Sequence, residues 1–173
     1  MGKAVVTRRR RWLPLALSAV LLIGPLAHEG YAKRGPKSFF KAAVNGKRLK
    51  ASKRNLLGVL AGVSFSVSGA TKPRHGLVRT VTVNCGPVDL RTVPPSTTLT
   101  GCFGSYTEAG SRTTSFRQWT GSAMELTVDS FDGSRLNGSF RGVLADPSTA
   151  NPSEASASVE EGTFSIVLLD LGV

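Results

Sequence analysis

The chain has 173 residues, 40% of hydrophobic type and 19% charged, with a formal net charge of +11 at pH 7. That balance excludes a solvated disordered polymer and allows one domain with a modest core. Two cysteines fall short of a structural zinc box, and 19 glycines with few helical repeats point to an all-β chain rich in turns.

Residues 1–32 read as a secretory signal peptide. Arg8, Arg9, Arg10 and Arg11 form a basic start, residues 12–23 an apolar stretch too short for a comfortable membrane span, and Gly30-Tyr31-Ala32 a small-x-small cleavage site. Pro25-Leu26-Ala27 is a second, poorer site, and the arginine run also permits twin-arginine export. An uncleaved N-terminal anchor is the alternative. Export predicts a secreted or periplasmic protein. Without residues 1–32 the chain keeps 17 bases and 10 acids, unevenly spread. Residues 33–79 hold 12 bases and no acid, whereas residues 80–173 hold 5 bases and 10 acids. Such asymmetry predicts a cationic face and a partner of opposite sign.

Residues 33–38 form a basic, mobile lead-in, and residues 39–173 a single β domain. Residues 39–44 alternate as a strand, Asn45-Gly46 is a hairpin turn signal, and residues 47–51 return. The leucines of residues 47–61 fall near helical spacing among bases, which would make a membrane-surface helix. Gly58 and Gly62 weaken that helix, so a strand end, a polar loop over residues 52–55 and a new strand are expected instead. Val63, Phe65 and Val67 alternate with serines, and Val81 and Val83 with threonines, as two further strands. Residues 99–106 and 113–120 read as strands around a turn, with Gly104 as a candidate bulge.

Residues 122–144 carry the clearest hairpin. Met124, Leu126 and Val128 alternate with polar residues, and Leu136, Gly138, Phe140 and Leu144 do so after Asp132-Gly133. A two-residue turn would set apolar against polar side chains, because a slip of one residue flips the face. A three-residue loop of Phe131, Asp132 and Gly133, with Gly133 left-handed beside a bulge, pairs Val128 with Leu136, Leu126 with Gly138 and Met124 with Phe140. Residues 145–156 read as a long exposed loop, and residues 157–171 as a closing strand kinked at Glu161-Gly162. The total of about eight or nine strands predicts an antiparallel β-sandwich, with a lipocalin-like or other small β-barrel as the alternative.

Cys85 and Cys102 both lie in the exported part, where an oxidising compartment favours a disulfide. Its 17-residue separation gives roughly 3 kcal/mol of stabilisation in the chain-entropy account. Motifs for catalysis are lacking: no Gly-x-Ser-x-Gly elbow, no phosphate-cradling glycine loop and no zinc-protease helix. His75 is the one histidine beyond the signal peptide and reads as a solvated turn residue. Glu125 and Asp129 share a strand face roughly 13 Å apart, too far for paired glycosidase carboxylates. They read instead as charge-pair partners of arginines such as Arg135 and Arg141. No cofactor or metal is implied.

The succession Phe40-x-Ala42-x-Val44-Asn45-Gly46-Lys47, Gly104-x-Tyr106, Asp132-Gly133-x-Arg135-Leu136-x-Gly138-x-Phe140 and Glu161-Gly162-x-Phe164 resembles a group of uncharacterised secreted bacterial β-sandwich-like proteins. The resemblance implies a secreted β domain of unknown function and offers no catalytic residues.

The basic stretch is the strongest functional lead. Lys41, Lys47, Arg48, Lys50, Lys53 and Arg54 are the candidate anion-binding residues, for an anionic cell-surface polymer or a membrane surface rather than a specific nucleic-acid site. The expected protein is a non-enzymatic binding domain. A carrier of small apolar ligands is the second reading, and a hydrolase without recognisable motif the third.

Overall fold

Period-two alternation sets nearly every element. A computed structural model describes residues 37–110, 116–148 and 156–172. The expected signal peptide, most of the lead-in and the middle of the 145–156 loop lie outside these residues. The strands are β1 Phe39–Val44, β2 Lys47–Lys50, β3 Leu56–Ala61, β4 Ser64–Ala70, β5 Leu77–Cys85, β6 Thr97–Gly110, β7 Phe116–Phe131, β8 Arg135–Ala145, β9 Ser156–Val167 and β10 Leu169–Asp170. A short 3-10 turn at Lys53–Asn55 stands where the polar loop was expected, with no helix over the leucines.

The fold is all-β. Instead of the two stacked ladders of a sandwich, the described strands form one sheet of ten, ordered β10-β3-β4-β5-β6-β7-β8-β9-β1-β2 and curled into a half-barrel. The curl brings strands distant in that order face to face. The Phe40 ring of β1 lies against Gly69 of β4, and Ile166 of β9 against Gly58 of β3. β9 runs through Leu168 into β10, which pairs in parallel with β3 at the opposite end of the ladder.

The core explains the repeated Gly-x-Phe pattern. In the β8–β9 register, Gly138 stands opposite Phe164 and Phe140 opposite Gly162. A Cβ on Gly162 would come 2.5 Å from the Phe140 ring, and one on Gly138 would strike both the Thr127 carbonyl and the Phe164 ring. Each glycine therefore makes room for the other strand's ring. Phe40, Phe140 and Phe164 then stack in a row, with centroids 5.1 Å and 6.2 Å apart. Met124, Leu126, Leu136 and Leu144 are fully buried around them.

The hairpin register differs from the expected one. Phe131 pairs with Leu136, Ser130 with Asn137, Val128 with Gly138, Leu126 with Phe140 and Met124 with Gly142. Apolar residues at even positions on both strands require one unpaired residue, and the chain places it at Asp129, between Val128 and Ser130, rather than in the turn. The turn shifts to Asp132–Ser134, where Asp132 closes it. Its Oδ1 accepts hydrogen bonds from the Arg135 amide at 2.6 Å and from the Ser134 amide and hydroxyl at 3.0 and 3.1 Å. Gly133 is left-handed, as expected, with φ +93°.

These bonds, the Arg135 amide first and then Ser134, hold the Asp132 carboxyl below its ordinary value of 3.8. A lowered folded-state pKa gives stability that is present above the unfolded value and lost as pH falls through the folded one. Wild type should therefore lose stability as pH drops below 3.8 more steeply than Asp132→Asn, as read by thermal unfolding across that range. Parallel curves would show that the carboxylate does not hold the turn.

Candidate anion-binding groove

Two tight turns place the basic residues. Asn45 and Gly46 both adopt positive φ, +48° and +71°, which joins β1 to β2 in two residues. Asn45 Oδ1 accepts a hydrogen bond from the Ser158 amide at 2.7 Å, which ties this hairpin to β9. Beyond β4, Arg74 and Leu77 exchange backbone hydrogen bonds around His75 and Gly76, again both at positive φ. The Arg79 amide donates to Thr71 Oγ1 at 3.0 Å, and the Thr71 amide to the Arg79 carbonyl at 2.9 Å. The Ser52 amide donates to the Ala70 carbonyl at 2.9 Å and so holds the exit of β2 against the end of β4.

Between the end of β2 and the second of these turns lies a groove of about 830 Å³. Arg48 and Lys50 line it from β2, Lys72, Arg74 and His75 from the second turn, and Arg79 from β5, with no acid in its lining. Arg79 is positioned by Glu108, whose Oε1 lies 3.1 Å from Arg79 Nε and accepts the Tyr106 hydroxyl at 2.6 Å. Burial first, and then the bond to Glu108, push the Tyr106 phenol well above its ordinary value, so it stays a donor. Tyr106 in turn stacks on Trp119 with centroids 5.2 Å apart.

Of the sequence candidates, Arg48 and Lys50 line the groove. Lys41 lies beside it on β1, directly opposite Lys50 in register. Like charges so placed oppose folding, so a stability argument alone does not account for the pair. Lys47 points to a smaller cleft of about 180 Å³ shared with Glu108, Arg117 and Trp119. Lys53 and Arg54 sit exposed on the 3-10 turn and line neither cleft. Lys72, Arg74, His75 and Arg79 were not among the candidates. Their signal was the acid-free stretch itself, which runs to Arg79 rather than ending at Arg54.

Elsewhere, Glu125 pairs with Arg141 at 2.8 Å across β7 and β8, an exposed cross-strand ion pair of the expected kind. Among the described residues no group of three or more His, Cys, Asp or Glu could hold a metal ion. None of their helices is long and apolar enough to cross a membrane. Cys85 and Cys102 form a buried disulfide between β5 and β6, which fits an oxidising extracellular or periplasmic setting.

Together these features define an all-β, disulfide-bonded domain with a cationic groove at one end of its sheet. No family model matches the chain, and no curated protein or solved structure does.

Proposed function

We propose that this protein is a non-enzymatic domain, exported by its N-terminal signal segment, that binds anionic polymers at the cell surface through the groove between β2 and the turn before β5. One observation carries this reading: five cationic side chains and one histidine line a single groove with no acid among them. Exposed at four of its five cations and unpaired by any lining carboxylate, such a cluster concentrates anions and steers them in. The curl is read as a flattened barrel whose two ends face each other much as the layers of a sandwich do. Its interior is filled by three phenylalanine rings and Met124, which weighs against an apolar-ligand carrier. Among the described residues the hydrolase reading finds no paired catalytic groups to support it.

The test is polyanion binding against salt, by titration calorimetry with polyphosphate. Affinity should fall linearly on a log–log plot. The double variant Lys50→Glu/Arg74→Glu should bind at least tenfold more weakly, with a salt slope shallower by about two. Glu108→Gln should act the other way, raising affinity at low salt by removing the acid that faces Arg79, with the gain lost at high salt. Salt-independent binding, or equal affinity in the double variant, would reject the groove as the site.

A further inference from the structure

Lys50 belongs to the groove, but it also begins a row on the outer face of the sheet. Register places Lys50 of β2 opposite Lys41 of β1, Lys41 opposite Thr163 of β9, Thr163 opposite Ser139 of β8, Ser139 opposite Thr127 of β7, and Thr127 opposite Thr98 of β6. At about 4.8 Å between neighbouring strands, the row spans on the order of 24 Å. The last four members line one shallow groove of about 390 Å³ together with Glu125, Arg141 and Glu161. Thr98 and Thr127 share a hydrogen bond of 2.9 Å there, so their hydroxyls lie side by side.

The two grooves differ in chemistry. The first is cationic. The second presents hydroxyls, two carboxylates and one guanidinium, so it repels a dense run of negative charge and suits a neutral group rich in hydroxyls. Glu161 stands out further. It is the extra residue of a bulge in β9, displaced from register with both β1 and β8, and it holds φ +49°, a conformation that favours glycine. A side chain is retained at a position where its absence would relieve the backbone, and that side chain faces the hydroxyl groove.

We infer that the bound polymer is a sparsely charged glycan, with its acidic groups held at Lys50, Lys41 and the cationic groove and its neutral sugars laid along Thr163, Ser139, Thr127 and Thr98. Sugar hydroxyls donate to Glu125 and Glu161 and exchange hydrogen bonds with the threonine and serine hydroxyls. This inference rests on the anion-binding reading above and adds the ligand class.

The full chain without its signal segment is titrated with two probes: hyaluronan, in which charged and neutral sugars alternate, and polyphosphate, which has charge and no sugar. The row variant Thr127→Val/Ser139→Ala/Thr163→Val keeps shape and strand preference and removes three hydroxyls. It should weaken hyaluronan binding by about tenfold or more and leave polyphosphate binding unchanged. Glu161→Gly should melt at a higher temperature than wild type and yet bind hyaluronan more weakly, a combination that a purely structural role for Glu161 would not produce. Thermal melts of the row variant confirm that it is folded before its affinity is compared. If both probes bind and neither variant changes hyaluronan affinity, the glycan inference fails while the polyanion reading stands. If neither probe binds wild type, both fail.

Discussion

Phe140→Ala should lower unfolding stability by about 3–5 kcal/mol, the range for removing a fully packed aromatic ring. Phe140 is 3% exposed and sits between Phe40 and Phe164 in the ring row. Its own strand neighbour Gly138 and its cross-strand partner Gly162 carry no side chain that could move into the space. The hole therefore stays open, which places the effect toward the upper end of the range. Phe103→Ala is the contrast, since Phe103 is 47% exposed, and it should change stability by no more than about 0.5 kcal/mol. Urea unfolding of both variants at neutral pH reads the difference directly. A loss below about 1.5 kcal/mol in Phe140→Ala would mean that the row does not hold the curl together.

The second large effect belongs to the disulfide. Cys85 and Cys102 lie at facing positions of β5 and β6, both buried, and their bond closes a 17-residue separation that includes the Pro94-Pro95 loop. Cys85→Ala/Cys102→Ala should lose about 3 kcal/mol, because the unfolded chain regains the freedom the bond removes. Adding a thiol reductant to wild type should give a matching loss, and should leave the double variant unchanged. Stability indifferent to reductant would show that the bond contributes nothing to the fold.

Much of the architecture was legible in the residues because it rests on local rules. Asn45-Gly46 gave its turn, and alternation gave most of the strands. The competition between helix and strand over residues 47–61 went to strand as expected, with a packing reason beyond the low helix propensity of glycine. Gly58 must lie flat under Ile166 and Leu168, an approach that no larger residue could make. The Gly-x-Phe repeats were visible but read as strand grammar; their reciprocal fit needs the β8–β9 register, which no single strand reveals.

What sequence could not give was long-range. The hairpin needed one unpaired residue, and the three hydrogen bonds onto Asp132 go with a turn at Asp132–Ser134 that leaves the bulge to Asp129. Local alternation makes strands for one curled sheet or for two stacked ones, and the parallel contact of β10 with β3 joins residues more than a hundred positions apart. The site was half legible for the same reason. Arg48 and Lys50 stand in the dense basic run, whereas Lys72, Arg74 and Arg79 meet them across the groove where the Ser52 amide binds the Ala70 carbonyl and holds the exit of β2 against the end of β4.

The most direct measurement is a residue-resolved NMR titration of the folded domain with a short polyphosphate at low salt. Amide shifts should move first at Lys50, Ser52, Thr71, Arg74, His75 and Arg79, and return as salt is added. Shifts concentrated instead around the Asp132–Ser134 turn, or spread evenly over every exposed lysine and arginine, would contradict a dedicated groove.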